Sequence, residues 1–409
     1  MLGSKTPHEN LKLSLFGHSL TTKAIAKKYK NCLFFDDKFR KKSKDKEGNR
    51  LFPSKNFKPK KSNIEIITPG IPPSNPLVKK AKNLMSDYDF FSDIMPFSIW
   101  ISGTNGKTTT TQMIYHLLKN KLAVQGGNIG IPVAELNPKA KIWILETSSF
   151  TLHYTKIAKP NIYILLPIKP DHLSWHGDFK SYERAKLKPL DLMVEGEIAI
   201  IPKKYKNYKT SAFKISYENS KDLAKYFDIK IKKIDLKEPF LLDSILALAT
   251  SKILFDKINY KKINSFKIDP HKLEEFKDKK NRIWVDDSKA TNLDATIEAV
   301  KRYKNKKIYL ILGGDDKGVD LNPLFETLKD FNIQIFTIGT NAQKLFDLTK
   351  KIDKTAIICK TLENAVTKID KRHNKNQIAV LSPAAASFDQ FNSYKDRGEK
   401  FKKFVKDLK

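Results

Sequence analysis

The segment Ile99-Trp100-Ile101-Ser102-Gly103-Thr104-Asn105-Gly106-Lys107-Thr108-Thr109-Thr110 constrains the fold more than any other part of the chain. An apolar strand runs into a glycine-bearing turn and then a helix expected from about Thr109 to Leu118. Such a turn aims backbone N–H groups at a phosphate, and the helix N-terminus adds positive potential there. Lys107 is placed to reach β- and γ-phosphates, and the Thr108 hydroxyl to face Mg²⁺. Position 101 is Ile, so the longer phosphate-loop pattern, with a glycine five residues before Gly106, is not met. The turn is the shorter G-x-x-G-K-T form. A strand that feeds a phosphate turn belongs to a mainly parallel α/β sheet.

The rest of the chain repeats that βα rhythm. Leu11 to Phe16 reads as a strand, Gly17-His18-Ser19 as a turn, the next stretch to Tyr29 as a helix, and Cys32 to Phe35 as a strand ending at Asp36-Asp37. Lys38 to Lys61 is lysine-rich and poorly patterned, giving a short strand or two among loops. Ile64 to Ile67 leads into the rigid Thr68-Pro69-Gly70 loop. Around the phosphate turn, strands are expected at Ile142–Leu145, Ile162–Leu166 and Glu197–Ile201. After Pro270 they are expected at Ile283–Val285, Ile308–Leu312, Ile333–Ile338 and Ile378–Leu381. Three consecutive α/β domains follow: an N-terminal Rossmann-like domain over 1–92, a central P-loop ATPase-like parallel sheet over 93–267, and a C-terminal Rossmann-like domain over 268–409.

Composition removes several alternatives. The longest apolar runs fall far below the roughly 18 residues of a membrane span, and the N-terminus has no signal-peptide pattern. Cys32 and Cys359 are the only cysteines, so neither a disulfide framework nor a cysteine metal site is available, and the reducing cytoplasm is the expected compartment. The net charge of +32 invites a nucleic-acid reading. Of the 77 basic residues only seven are Arg, however, and base readout leans on Arg forks. Solvated lysine faces explain the charge, and no nucleic-acid partner is expected.

Further along, the motifs become specific. Gly127-Asn128-Ile129-Gly130, Glu146-Thr147-Ser148-Ser149-Phe150, Asp171-His172-Leu173, Tyr182-Glu183-Arg184-Ala185-Lys186, Asp287-Ser288-Lys289-Ala290-Thr291-Asn292 and Ser382-Pro383-Ala384-Ala385-Ala386-Ser387-Phe388 follow the phosphate turn in order. Together they resemble the Mur ligases, and among these the D-glutamate-adding branch. The resemblance implies an ATP-dependent amide ligase that phosphorylates the carboxylate of UDP-N-acetylmuramoyl-L-alanine and couples the acyl phosphate to D-glutamate. ATP and Mg²⁺ are the implied cofactors, and a monomer the implied state.

By that resemblance, Gly103, Thr104, Asn105, Gly106, Lys107, Thr108 and Thr109 hold ATP, with Lys272 and Asp287 contributing from the last domain. Lys107, Glu146, His172 and Lys186 are the implied catalytic set, and Thr108, Glu146, His172 and Lys186 the implied Mg²⁺ set. In the family the lysine matching Lys186 is carbamylated, which requires a neutral amine and hence a depressed pKa. Ser19, Asp36, Asp37, Asn128 and Ser148 are assigned to the nucleotide-sugar substrate. Lys289, Thr291, Lys317, Ser387, Phe388 and Tyr394 are assigned to the amino acid, whose two carboxylates suit a Lys, Thr and Ser mixture.

Three features depart from the family pattern. Asp243 stands where an Asn is usual in the helix that docks adenine, Lys272 replaces an Arg in Pro270-His271-Lys272, and the first domain matches only through short turns. The rival readings are another amide ligase of the same superfamily, such as a folylpolyglutamate synthase, and a basic P-loop ATPase acting on nucleic acid.

Overall fold

The computed structural model describes residues 12–316 and 318–408. Among these residues the strands form three six-stranded sheets. The chain divides into two compact units, Met1–Phe266 and Lys267–Lys409.

The first unit carries two sheets. One comprises β1 (Leu13–Phe16), β2 (Leu33–Phe35), β3 (Ser43–Lys44), β4 (Arg50–Phe52), β5 (Ile64–Ile67) and β6 (Leu84–Met85) in the order β3-β4-β2-β1-β5-β6. Only the two-residue β3 runs antiparallel to its neighbour. The other comprises β7 (Phe97–Ser102), β8 (Ala123–Gly127), β9 (Ile142–Glu146), β10 (Ile162–Leu165), β11 (Ile198–Pro202) and β12 (Phe213–Tyr217) in the order β12-β11-β10-β7-β9-β8. All of its pairings are parallel. Strands covered on both faces need continuous apolar runs, and Ile142–Glu146 and Ile162–Leu165 are buried throughout.

Both sheets contribute to one apolar core. It runs from Leu15, Ile25, Phe34 and Ile66 through Tyr88, Phe90 and Phe91 to Trp100, Trp143, Tyr163 and Leu190. Each such buried large side chain stabilises by about 1.5–3 kcal/mol. The aromatic residues of the short helix Asp87–Phe90 and the following Phe91 lie inside this core.

The second unit carries β13 (Glu274–Lys277), β14 (Ile283–Asp286), β15 (Lys307–Gly313), β16 (Ile333–Ile338), β17 (Thr355–Lys360) and β18 (Gln377–Leu381) in the order β13-β14-β18-β15-β16-β17. Only β13 is antiparallel. Its core gathers Trp284, Tyr309, Phe336 and Leu381 against Phe401 and Val405 of the helix Tyr394–Lys406.

The expected strands are present with ends shifted by at most two residues, Leu11 lying outside the described residues, and the lysine-rich stretch holds two short strands. The sequence reading did not anticipate β6, β8, β12, β13 and β17. Each of them is the outermost strand at one end of its sheet, where half-exposed pairing removes the need for an apolar run.

Candidate functional site

Register fixes where the phosphate loop ends up. Ile101 of β7 lies opposite Glu146 of β9, and Ser102 opposite Leu165 of β10. The last residues of three neighbouring strands therefore open at one sheet edge, the usual place for ligands in an open parallel sheet. Gly103 takes φ +139°, and a Cβ on it would lie 2.4 Å from that of Leu166. Gly106 caps the helix Lys107–Leu118 in the left-handed region at φ +85°. Both positions need glycine. Thr104 is locked by its hydroxyl, which lies 3.0 Å from both the Lys169 carbonyl and the Tyr182 hydroxyl. Asn105 is exposed, Thr108 half-buried and Thr109 buried.

Two lysines converge on this turn. The Lys107 ammonium donates to the carbonyls of Gly103 at 3.0 Å and Thr104 at 2.8 Å. Lys186, 1% exposed, donates to the same Gly103 carbonyl at 2.7 Å and lies 3.4 Å from the Ser102 hydroxyl. Burial first, and the Lys107 charge second, push the Lys186 pKa well below the ordinary lysine range, while Asp171 and Glu146 pull the other way. Burial also lowers Lys107, against the same two carboxylates. Asp171 was read only as part of a motif, yet its charge acts on both amines. Its neighbour His172 is exposed, sits in the left-handed region at φ +53°, and has its ring centre 4.7 Å from that of Phe150, tilted by 60°.

Glu146 is the most unusual group. It is 3% exposed, and one carboxylate oxygen accepts from the Asn128 side chain at 2.8 Å. The other is buried with no hydrogen-bond partner among the described residues. A buried unpaired carboxylate oxygen costs about 1–3 kcal/mol or more, a cost that a bound cation would offset. With the Thr108 hydroxyl at the start of the phosphate-loop helix and further oxygen or imidazole donors available, this set fits Mg²⁺, a hard ion that prefers oxygen.

Other expected residues are held by the fold itself. Ser148 caps the helix Ser149–Tyr154, accepting from the Thr151 amide at 3.0 Å. Asp243 accepts from the Thr110 hydroxyl at 2.6 Å, which ties the helix Phe240–Phe255 to the phosphate-loop helix. In the first sheet, Ser19 and Thr68 hydroxyls lie 2.6 Å apart, and Asp36 accepts from the His18 and Lys38 amides at 2.6 and 2.9 Å. Asp37 is exposed.

The second unit repeats the edge-on arrangement. Asp286 pairs with Leu381, Ile311 with Leu381, and Gly313 with Ile338, so the turns after β14, β15 and β18 emerge side by side. Backbone bonds stitch them together: Ala384 N–H to Ala290 O at 3.0 Å, and a mutual pair between Asp315 and Ala386 at 3.0 and 2.9 Å. Thr291 projects from the first turn, exposed, and half-buried Lys289 lies 5.7 Å from the Tyr394 ring centre. Ser387 is buried and Phe388 is exposed. Lys317 lies outside the described residues. Asp287 is buried, with its oxygens accepting from the Ser382 hydroxyl at 2.7 Å and the Leu273 amide at 3.2 Å, and burial raises its pKa to about 8. Lys272 reaches Asp269 at 3.2 Å.

Residues 101–240 match the Mur ligase middle domain, and the chain belongs to the Mur ligase family. It is 55% identical over 97% of its length to the UDP-N-acetylmuramoylalanine–D-glutamate ligase of Campylobacter jejuni, covering 99% of that protein. It is 47% identical, with the same coverage, to the enzyme of that name from Helicobacter pylori. Among solved structures, MurF ligase from Thermotoga maritima in complex with ADP shares the fold. Its TM-score is 0.58 at 16% identity, covering 92% of this chain and 94% of that one.

Proposed function

We propose that the chain is an ATP-dependent ligase adding D-glutamate to UDP-N-acetylmuramoyl-L-alanine in peptidoglycan precursor synthesis. The observation that carries the reading is the buried, half-unpaired Glu146, whose charge acts on two lysines that converge on the phosphate loop, in a chain so similar to enzymes of that name.

The phosphate turn binds ATP through Gly103 to Thr109. Lys107 turns from its own loop carbonyls to the transferred phosphoryl group, where negative charge gathers as the substrate carboxylate oxygen attacks γ-phosphorus. The bond from γ-phosphorus to the bridging oxygen breaks, leaving ADP and an acyl phosphate. The D-glutamate amine then forms the amide bond, loses a proton and expels phosphate. Thr108, Glu146, His172 and a modified Lys186 are the residues that would hold Mg²⁺, whose chemistry is to neutralise charge on the phosphate oxygens. Burial first and the Lys107 charge second lower the Lys186 pKa and so favour release of the ammonium proton; the free amine then adds CO₂ through a new N–C bond and gives up a second proton. The product is a carbamate, which turns a cation-repelling group into an oxygen donor.

Ser19, Asp36, Asp37, Asn128 and Ser148 serve the nucleotide-sugar, the last through its backbone or a shifted rotamer since its hydroxyl caps a helix. Lys272 and Asp287 serve ATP. Lys289, Thr291, Lys317, Ser387, Phe388 and Tyr394 serve D-glutamate. The enzyme works as a cytoplasmic monomer without nucleic acid. Among the described residues no helix is long and apolar enough to cross a membrane.

The deciding experiment offers the protein ATP, UDP-N-acetylmuramoyl-L-alanine and a panel of amino acids, following phosphate release and product mass. D-glutamate should dominate, because losing either carboxylate contact leaves polar groups unpaired. Comparable kcat/KM for L-glutamate, D-alanine or a diamino acid would overturn the assignment. ATP turnover stimulated by nucleic acid instead would favour the rival ATPase.

A further inference from the structure

Arg397 is fully buried in the helix Tyr394–Lys406, and no carboxylate lies within ion-pair distance of it among the described residues. Its partners are neutral. Nε donates to the Ser288 hydroxyl at 2.9 Å, and Nη2 to the Ser288 carbonyl at 2.8 Å and the Ala385 carbonyl at 3.1 Å. Nη1 donates to the Ala386 carbonyl at 3.4 Å. The Ser288 hydroxyl passes its own proton to the Tyr394 carbonyl at 2.8 Å, and its amide donates to Asp286 at 3.0 Å. Helix and sheet edge are tightly fitted here: a Cβ on neighbouring Gly398 would lie 2.2 Å from Nδ1 of His271.

A guanidinium in such a place is costly. Burial drags its pKa down to about 10, with only the more distant Asp389, Asp286 and Asp287 opposing. Well-packed apolar side chains commonly serve stability as well or better than a buried charge. What an apolar residue or a lysine does not offer is a planar fork that grips two chain segments at once. The segments gripped are Ser288, directly before Lys289 and Thr291, and Ala385–Ala386, directly before Ser387 and Phe388.

We infer that Arg397 is the positioning residue of the amino-acid half of the site, setting the spacing between the Lys289–Thr291 turn and the Ser387–Phe388 turn so that both meet the two carboxylates of one amino acid. The inference rests on the proposed function, which assigns those turns to D-glutamate. Arg397 itself touches no substrate.

The test uses the full-length protein and three variants, Arg397→Lys, Arg397→Met and Ser288→Ala, varying each substrate in turn and recording melting temperatures. Loosening of the fork should raise the KM for D-glutamate roughly 10- to 100-fold in Arg397→Lys, as misplacement of about an ångström does elsewhere. The KM values for ATP and the nucleotide-sugar should stay within about twofold, and kcat should fall less than KM rises. Ser288→Ala, which keeps the carbonyl contacts, should shift the same constant in the same direction by a smaller factor. Should Arg397→Met not fold, the other two variants decide. Folded Arg397→Lys with an unchanged amino-acid KM, whatever its melting temperature or kcat, overturns the inference and leaves Arg397 as packing. If wild-type protein prefers a different amino acid, the proposed function fails, and the same measurement made with that amino acid still judges Arg397.

Discussion

The phosphate loop of the first unit and the stitched turns of the second are built alike, from parallel strands that end in turns at one sheet edge, yet they treat buried polarity in opposite ways. Around the phosphate loop, two lysines crowd one carbonyl, and Glu146 keeps an oxygen without a hydrogen-bond partner. Behind the turns of the second unit, every nitrogen of Arg397 donates to a carbonyl or hydroxyl. Where charge must move during a reaction, the fold leaves polar atoms in tension with their surroundings, and a ligand relieves it. Where the task is to hold a shape for recognition, the fold satisfies the supporting groups and leaves the tips to the ligand.

The largest expected effect tests the first half of that contrast. Lys107→Ala should lose on the order of 10³ in turnover, while its melting temperature barely moves, since the amine contacts only carbonyls of its own half-buried loop. A variant of normal stability that releases phosphate at close to the wild-type rate would remove the loop from the chemistry. Glu146→Gln should lose about 10²-fold in activity without losing thermal stability, because an amide in that place no longer leaves a charge incompletely paired. A marked drop in melting temperature would show that the carboxylate serves the fold, and the contrast would fail.

A pH-dependent effect sharpens the comparison away from the loop. Asp87 also has a buried oxygen with no hydrogen-bond partner, and burial raises its pKa to about 7. The unfolded carboxyl titrates near 3.9. Between those values the folded chain keeps a proton that the unfolded chain has released. The contribution of Asp87 to stability is therefore fully present below about pH 4 and is lost as pH rises towards about 7, by up to about 1.4 kcal/mol per pH unit. Relative to wild type, Asp87→Asn should gain stability steadily over that window and level off above it, as read from urea unfolding at a series of pH values. A difference independent of pH would mean that the carboxyl does not titrate there.

Much of this was legible in the sequence because the central strands must be apolar on both faces: Ile142–Glu146 and Ile333–Ile338 announce themselves. The outermost strands do not. Phe213–Tyr217 alternates polar and apolar residues, Ala123–Gly127 ends in two glycines, and Glu274–Lys277 is mostly charged, since pairing on one side only leaves the other to water. Among candidate site residues, the phosphate turn stands out by its local chemistry, whereas Asp171 and Arg397 meet their neighbours from segments distant in sequence.

The core shared by the two sheets of the first unit carries a consequence for modularity. Counted by sheets, residues 12–266 hold two α/β layers; counted by what water would touch on separation, they hold one body. A cut near residue 92 would strip cover from Tyr88, Phe90, Phe91 and Trp100 at once, an exposure of several aromatic faces that a soluble fragment tolerates poorly. Neither half is then a portable part. Exchange of the first sheet between relatives would have to carry the phosphate-loop sheet with it, so recombination within this family should respect the boundary near residue 267 and avoid a cut near residue 92.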